Sequence, residues 1–194
     1  MKKMILFCAM LLITTLFVSA VPTEAEGAVY EDTVRLHILA NSDSEEDQEL
    51  KLMLRDALLL EYGVLLNAPA STDEAEALLY EMLPEIKEFS EEFIRSVGYD
   101  YTVAVSFGKE WYETREYEDF TLPEGRYTSL KISIGEGEGK NWWCVMYPPL
   151  CLDIATESVA TDASEKYTNA ERELIGGKYK MKFKVLELFS NAFS

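Results

Sequence analysis

The sequence predicts an α+β fold, in which one strand and two helices are followed by a mostly antiparallel sheet within a single domain. Three successive apolar patterns predict this order. Apolar residues alternate over residues 33–40, recur every three or four positions between residues 44 and 98, and alternate again in several runs after residue 100. Helical and strand patterns that are separated along the chain favour α+β over alternating α/β architecture.

The N-terminal segment has the pattern of a secretory signal peptide. Lys2 and Lys3 precede a mostly apolar run from Met4 to Val18, and small residues follow up to Ala20. The run has about 15 residues, fewer than the roughly 20 that a membrane-spanning helix needs. We therefore predict a signal peptide over residues 1–20, which meets the membrane only during export. An uncleaved N-terminal anchor is the alternative.

Residues 21–32 are polar and carry no apolar period, so the sequence predicts a flexible linker there and a single α+β domain over residues 33–191. The first strand is predicted at residues 33–40. It is predicted to be half-buried, because Val34, Leu36 and Ile38 alternate with Arg35, His37 and Leu39.

The first helix is predicted to begin at Ser44 or Ser42, each of which precedes an acidic residue by three positions as in a capping box. Gly63 marks its end. A face at helical spacing is formed by Leu50, Met53, Ala57, Leu60 and Val64.

The second helix is predicted to begin at Ser71 or Thr72 and to end near Gly98. Pro84 should kink this helix or divide it in two. The apolar stripe of this helix consists of Leu78, Met82, Ile86, Phe89, Phe93 and Val97.

Later strands are predicted around residues 101–107, 111–122, 130–134 and 141–147, the last of which is stopped by Pro148. A short helix is predicted at residues 165–175, and residues 179–185 alternate once more.

The charge of the chain excludes one class of partner. It has 18 basic and 35 acidic residues, a formal charge of −17, and loss of Lys2 and Lys3 with the signal peptide makes this −19. Such a field repels the phosphates of nucleic acids, so nucleic acid is not a partner.

Two cysteines, Cys144 and Cys151, lie beyond the signal peptide, and an even number in an exported chain predicts a disulfide. This bridge would close a loop of about eight residues and stabilise the fold by ~2–3 kcal/mol. Two free thiols are the alternative. A single histidine and no second cysteine pair are against a metal site, and no cofactor is expected.

Polar residues gather between the first strand and the first helix. We interpret Arg35, His37, Asn41 and Asp43 as a partner-binding edge. The alternative is ordinary turn and capping chemistry, because Asn, Ser and Asp are the residues that such a turn uses.

His37 is the only histidine, so a Ser-His-Asp or Cys-His enzyme would need it as the base. No nucleophile-elbow motif accompanies it. We interpret the chain as a protein that is not an enzyme, with an exported hydrolase acting on cell wall or peptide as the alternative.

A second candidate contact lies in the segment NWWCVMYPPLC at residues 141–151. Adjacent residues of a strand point to opposite faces, so Trp142 and Trp143 cannot both fill one core. We interpret the pair as partner-binding. The alternative is that one ring fills the core and the other covers its edge.

These segments resemble the stage II sporulation protein R family. The resemblance rests on VRLHILANSDS at residues 34–44, on VSFGK at 105–109, on the Leu-Pro, Gly and Tyr of 122–127, and on the GEG, NWWCV and PPLC groups between 135 and 151. It covers the chain from about residue 30 to the C terminus.

The resemblance implies a signalling protein of sporulation, secreted from the forespore into the space between the forespore and mother-cell membranes. There, such proteins activate a membrane-embedded aspartic protease, which processes the precursor of the mother-cell sigma factor E. The family supplies no catalytic residues to carry over. The oligomeric state is left open.

Overall fold

The computed structural model describes residues 2–19, 23–63, 65–117, 120–150 and 166–176. In chain order its helices and strands are α1 (Lys2–Ser19), α2 (Glu24–Glu31), β1 (Val34–Leu39), α3 (Glu45–Tyr62), α4 (Thr72–Ser96), β2 (Val103–Tyr112), β3 (Arg115–Glu116), β4 (Thr121–Leu122), β5 (Gly125–Ile134), β6 (Asn141–Tyr147) and α5 (Asn169–Gly176). Within these residues, no helix has both the length and the apolar character needed to cross a bilayer.

A four-stranded mixed sheet organises the domain, in the order β2-β5-β1-β6. The outer pairings, β2 with β5 and β1 with β6, are antiparallel, as the strand patterns predict. The central pairing of β1 with β5 is parallel, and the chain between these strands includes α3, α4, β2 and the short strands β3 and β4. The predicted α+β class is confirmed.

Helices α3 and α4 pack on one face of the sheet. The even-numbered residues of β1 point to this face, and Leu36 and Ile38 are fully buried there together with Leu54 of α3 and Ile86 of α4. This layer is the main hydrophobic core.

The caps of α3 are those that the sequence predicts. The Ser44 side chain accepts a hydrogen bond from the backbone of Asp47, and Gly63 closes the C terminus. The predicted apolar face is wrong, since Met53 and Leu60 are 40% and 70% exposed. Apolar residues occur on several sides of this helix, and the stripe that packs on the sheet is Leu50, Leu54 and Leu58.

Helix α4 begins after the N-cap Ser71 and runs through Pro84 without a break, so the predicted division is wrong, while a kink at Pro84 stays a prediction. Ile86 of the predicted stripe is fully buried, and its other members pack against the core while keeping some exposure.

The predicted linker over residues 21–32 is wrong for most of its length, because residues 24–31 form α2. Thr23 and Glu26 build a reciprocal capping box at its start. Val29 is fully buried, and the helix packs on β5 and α5. One turn-spaced apolar pair in eight residues was too short a pattern to indicate this helix.

Among the described residues, those that pack on the opposite face of the sheet lie towards the start of β1. Helix α2, the short β3–β4 hairpin and α5 lie there, and Tyr167 ahead of α5 shares a hydrogen bond of 2.7 Å with Thr33. The alternating residues 179–185, predicted as a strand, lie outside the described residues.

Candidate functional site

The odd-numbered residues of β1 point away from α3 and α4, and the first of them, Arg35, is fully buried. Its guanidinium carbon lies 4.1 Å from the ring centre of Tyr112 and 5.1 Å from that of Tyr127. Its Nη2 donates to the Tyr117 hydroxyl at 2.7 Å. The cation is therefore stabilised by aromatic faces and one hydroxyl, while its Nε and Nη1 have no hydrogen-bond partner in the described chain.

The tyrosines around Arg35 are held neutral. Burial raises the pKa of Tyr112, Tyr127 and Tyr117, and the positive charge of Arg35 acts in the opposite direction. We call Arg35 together with Tyr112, Tyr117 and Tyr127 the Arg35 cage. In this cage a buried cation is surrounded by buried, neutral tyrosine side chains.

His37, two residues further along β1, lies at the boundary between this interior and the solvent. Its Nδ1 is 3.1 Å from a carboxylate oxygen of Glu110, and its Nε2 is 2.7 Å from Oδ1 of Asn141. Lys131 Nζ donates to the second carboxylate oxygen of Glu110 at 2.9 Å. Burial alone would raise the pKa of Glu110, but hydrogen bonds from Lys131 and His37 outweigh it and lower that pKa.

The two tryptophans of β6 lie on opposite faces of the sheet, as the period of a strand requires. Trp143 stacks on His37 with ring centres 5.7 Å apart, and the guanidinium of Arg115 lies 3.7 Å from its ring centre. Trp142 lies on the helix-covered face, where Arg55 of α3 is 5.0 Å from its ring centre. Both rings are half-buried.

The turn between β1 and α3 is organised around the buried carboxylate of Asp47. It accepts hydrogen bonds from Asn41 Nδ2 at 2.9 Å and from Ser42 Oγ at 2.6 Å. Burial alone would raise the pKa of Asp47, but these hydrogen bonds outweigh it and lower that pKa.

The same turn is tied to the loop between β5 and β6. Asn41 Oδ1 accepts from the backbone of Glu136 at 3.1 Å, and Asp43 Oδ1 accepts from the backbone of Lys140 at 2.7 Å. Lys51 Nζ donates to the carbonyl of Lys140 at 2.9 Å. Asn41 and Asp43 thus join two loops at the end of β1.

Glycines allow the two loops to approach. Gly135 has a φ of 56° and faces the Asn41 side chain. A Cβ at Gly139 would overlap the backbone carbonyl of Ser42. The polar residues after β1 and the glycine-rich residues after β5 therefore form one structural unit.

The structure brings two of the predicted partner-binding residues together, His37 and Trp143. Arg35 lies beneath them in the interior. The remaining three lie elsewhere, in the loop or on the opposite face: Asn41, Asp43 and Trp142. Whether any of the six contacts a partner stays a prediction.

Sequence reasoning missed the residues that surround His37. Glu110, Lys131 and Asn141 come from three other strands, and they meet His37 only through the register of the sheet. The alternation within each strand predicts which of its side chains share a face of the sheet. It does not predict which residues of other strands lie beside them.

Cys144 is fully buried on β6. The predicted disulfide stays a prediction because Cys151 lies outside the described residues. Within those residues, no cluster of His, Cys, Asp and Glu could hold a metal ion.

Comparison with known proteins identifies the family. The family model for stage II sporulation protein R matches residues 30–157. The stage II sporulation protein R of Bacillus subtilis (strain 168) is 34% identical over an alignment 224 residues long, and the alignment covers all of both chains. No solved structure matches.

The chain belongs to the stage II sporulation protein R family.

Membership in the stage II sporulation protein R family gives the chain a role in sporulation. The matched region contains the whole Arg35 cage, the His37 group and the paired loops at the end of β1. The family-like segments supply Arg35, His37, Tyr127, Asn141 and Trp143 to this face of the sheet.

Proposed function

We propose that this protein is a secreted signal of sporulation that activates a membrane-embedded aspartic protease, leading to processing of the sigma factor E precursor. The observation that carries the proposal is the full-length similarity to stage II sporulation protein R. The signal-peptide pattern of residues 1–20 adds a route to the space between the forespore and mother-cell membranes.

The surroundings of His37 support a binding role over hydrolysis. A general base needs a ring nitrogen free to accept a proton from a nucleophile or water. In the structure Nδ1 faces Glu110 and Nε2 faces Asn141, so both nitrogens are occupied by neighbouring side chains. This arrangement fixes the ring and presents Trp143 beside it.

Activation by binding requires unequal affinity for two states of the protease. A ligand that binds the active and inactive arrangements equally shifts nothing. The proposal therefore requires that this protein contact a part of the protease that differs between its two states, on the outward side of the membrane.

The test is reconstitution in a host that does not form spores. The full chain is expressed together with the protease and the sigma factor precursor, and precursor cleavage is followed by immunoblot. We expect cleavage to depend on the chain and to be lost when residues 2–20 are deleted, because the deleted form stays on the wrong side of the membrane. Equal cleavage with and without the chain would refute the proposal.

A further inference from the structure

Strand β2 is a long, open edge of the sheet. It spans Val103–Tyr112 and pairs only with β5 among the described strands. Natural proteins usually shorten or cover such edges, because the free backbone groups invite another strand. The length of this edge therefore requires an explanation.

The register shows which backbone groups are free. The backbone of Gly135 donates to the Thr102 carbonyl at 2.9 Å, so even-numbered residues of β2 bond to β5. Odd-numbered residues then point their N–H and C=O groups outward. The first of them agrees, because Val103 N–H donates to the Glu91 side chain at 3.4 Å. Within the part of the chain that the structure describes, no such cap meets the outward groups from Val105 to Trp111.

Side chains at the far end of this edge form a small cationic and aromatic patch. Trp111 is 64% exposed, and Arg126 of β5 lies directly opposite it in the register. Lys109 is exposed two residues before Trp111 on the same face. In a chain with 35 acidic residues, neither cation has a carboxylate partner within the described residues.

We propose that the outer edge of β2 from Val105 to Trp111 is a docking site for an extended segment of a partner protein, which adds to the sheet as a further strand. Main-chain hydrogen bonds to the outward groups supply affinity, and side-chain contacts supply specificity. The segment carries a carboxylate that reaches Lys109 and Arg126, and an apolar residue that packs on Trp111. The inference rests on the proposed function, in that the partner is the outward part of the protease.

A second copy of this chain fits the edge poorly. Antiparallel self-pairing centred on Lys109 would place two lysines opposite each other, and pairing centred on Phe107 would place Lys109 opposite Val105. The net charge of −17 also opposes self-association. A partner carboxylate that binds at this edge is affected more by Lys109 and Arg126 than by the net negative charge of the chain, because salt screens charges beyond about 8–10 Å.

The experiment compares Lys109→Pro with Lys109→Gln. Both remove the charge, but only proline removes the N–H, and this N–H points away from β5, so the native ladder stays intact. In the reconstituted host, chain levels are titrated and the level giving half-maximal precursor cleavage is measured. We expect Lys109→Gln to raise this half-maximal level by about threefold, and Lys109→Pro to raise it by about a further tenfold.

Thermal unfolding monitored by circular dichroism establishes that both variants are folded at the assay temperature. Equal activation by Lys109→Pro and Lys109→Gln overturns the strand-addition inference while the proposed function stands. Cleavage that does not depend on the unaltered chain overturns both. A sedimenting dimer of the unaltered chain that Lys109→Pro dissociates assigns the edge to a second copy, which also overturns it.

Discussion

At the scale of single residues, sequence alternation predicted directions but not partners. Arg35 and His37 point away from the apolar face of β1, as their positions between Val34, Leu36 and Ile38 require. The same pattern could not show that Arg35 is buried, because the elements that pack on its side of the sheet come from residues 24–31, 115–117, 120–122 and 166–176. A charged residue in a strand is ordinarily exposed, and only a tyrosine cage overrides that expectation here.

Asp47 is the residue on which the turn after β1 depends. Replacing it by asparagine removes the charge that Ser42 and Asn41 solvate, so we expect Asp47→Asn to lower the free energy of unfolding by about 2 kcal/mol at neutral pH. Because the folded pKa of Asp47 is lowered, its stabilisation is fully present above the unfolded value of about 3.9 and is lost as pH falls through the folded pKa. The difference in free energy of unfolding between the unaltered chain and Asp47→Asn should therefore become smaller at acid pH.

Urea unfolding at neutral pH and near pH 3 measures both quantities for Asp47→Asn. Asp56→Asn is the matched control, because Asp56 lies in the same helix but its side chain is 54% exposed and forms an ion pair with Arg55. If the loss of unfolding free energy in Asp47→Asn is the same at both pH values, the role given to the Asp47 carboxylate is contradicted.

At the scale of elements, boundaries were predictable wherever a local rule sets them. Ser44, Gly63 and Ser71 end or begin helices through capping, and these positions are confirmed. The buried face of α3 was not predictable, because a helix with apolar residues on several sides leaves the choice to its neighbours. Helix α2 was missed for a related reason: one buried Val29 and a capping box make a stable helix only with the tertiary contacts that follow.

The paired loops at the end of β1 make a sharper prediction. A methyl group at Gly139 would overlap the carbonyl of Ser42, and backbone cannot move aside as a flexible side chain can. We expect Gly139→Ala to lower the free energy of unfolding by about 2–3 kcal/mol, measured by urea unfolding.

Gly108→Ala is the control for this glycine replacement. Gly108 is exposed on β2, and nothing lies within 4 Å of the position of an added Cβ. The change should be neutral or stabilise by up to about 1 kcal/mol. Similar losses for both variants would show that the close approach of the loops is not what Gly139 serves.

At the scale of the whole molecule, the predicted α+β class is confirmed, but the order of the strands in the sheet could not be predicted from the sequence. Successive strand patterns with short connections favour neighbouring antiparallel pairs, and β5 and β6 follow each other along the chain. The structure instead inserts β1 between them, parallel to β5. Such a pairing depends on non-local packing against α3 and α4, which no period within a single strand encodes.

The tyrosines extend this non-local packing across the molecule and predict its response to alkali. Burial raises the pKa of Tyr30 and Tyr62 to about 12 and raises that of Tyr112, Tyr127 and Tyr167 as well. Their neutral forms stabilise the fold fully below the unfolded value of about 10, and this stabilisation is lost as pH rises above it. We therefore expect the tyrosinate absorbance of these five residues and the loss of circular dichroism to rise together, well above pH 10. In denaturant, the same tyrosines should titrate near pH 10. If the folded protein gave the same titration curve without unfolding, the burial of these tyrosines would be contradicted.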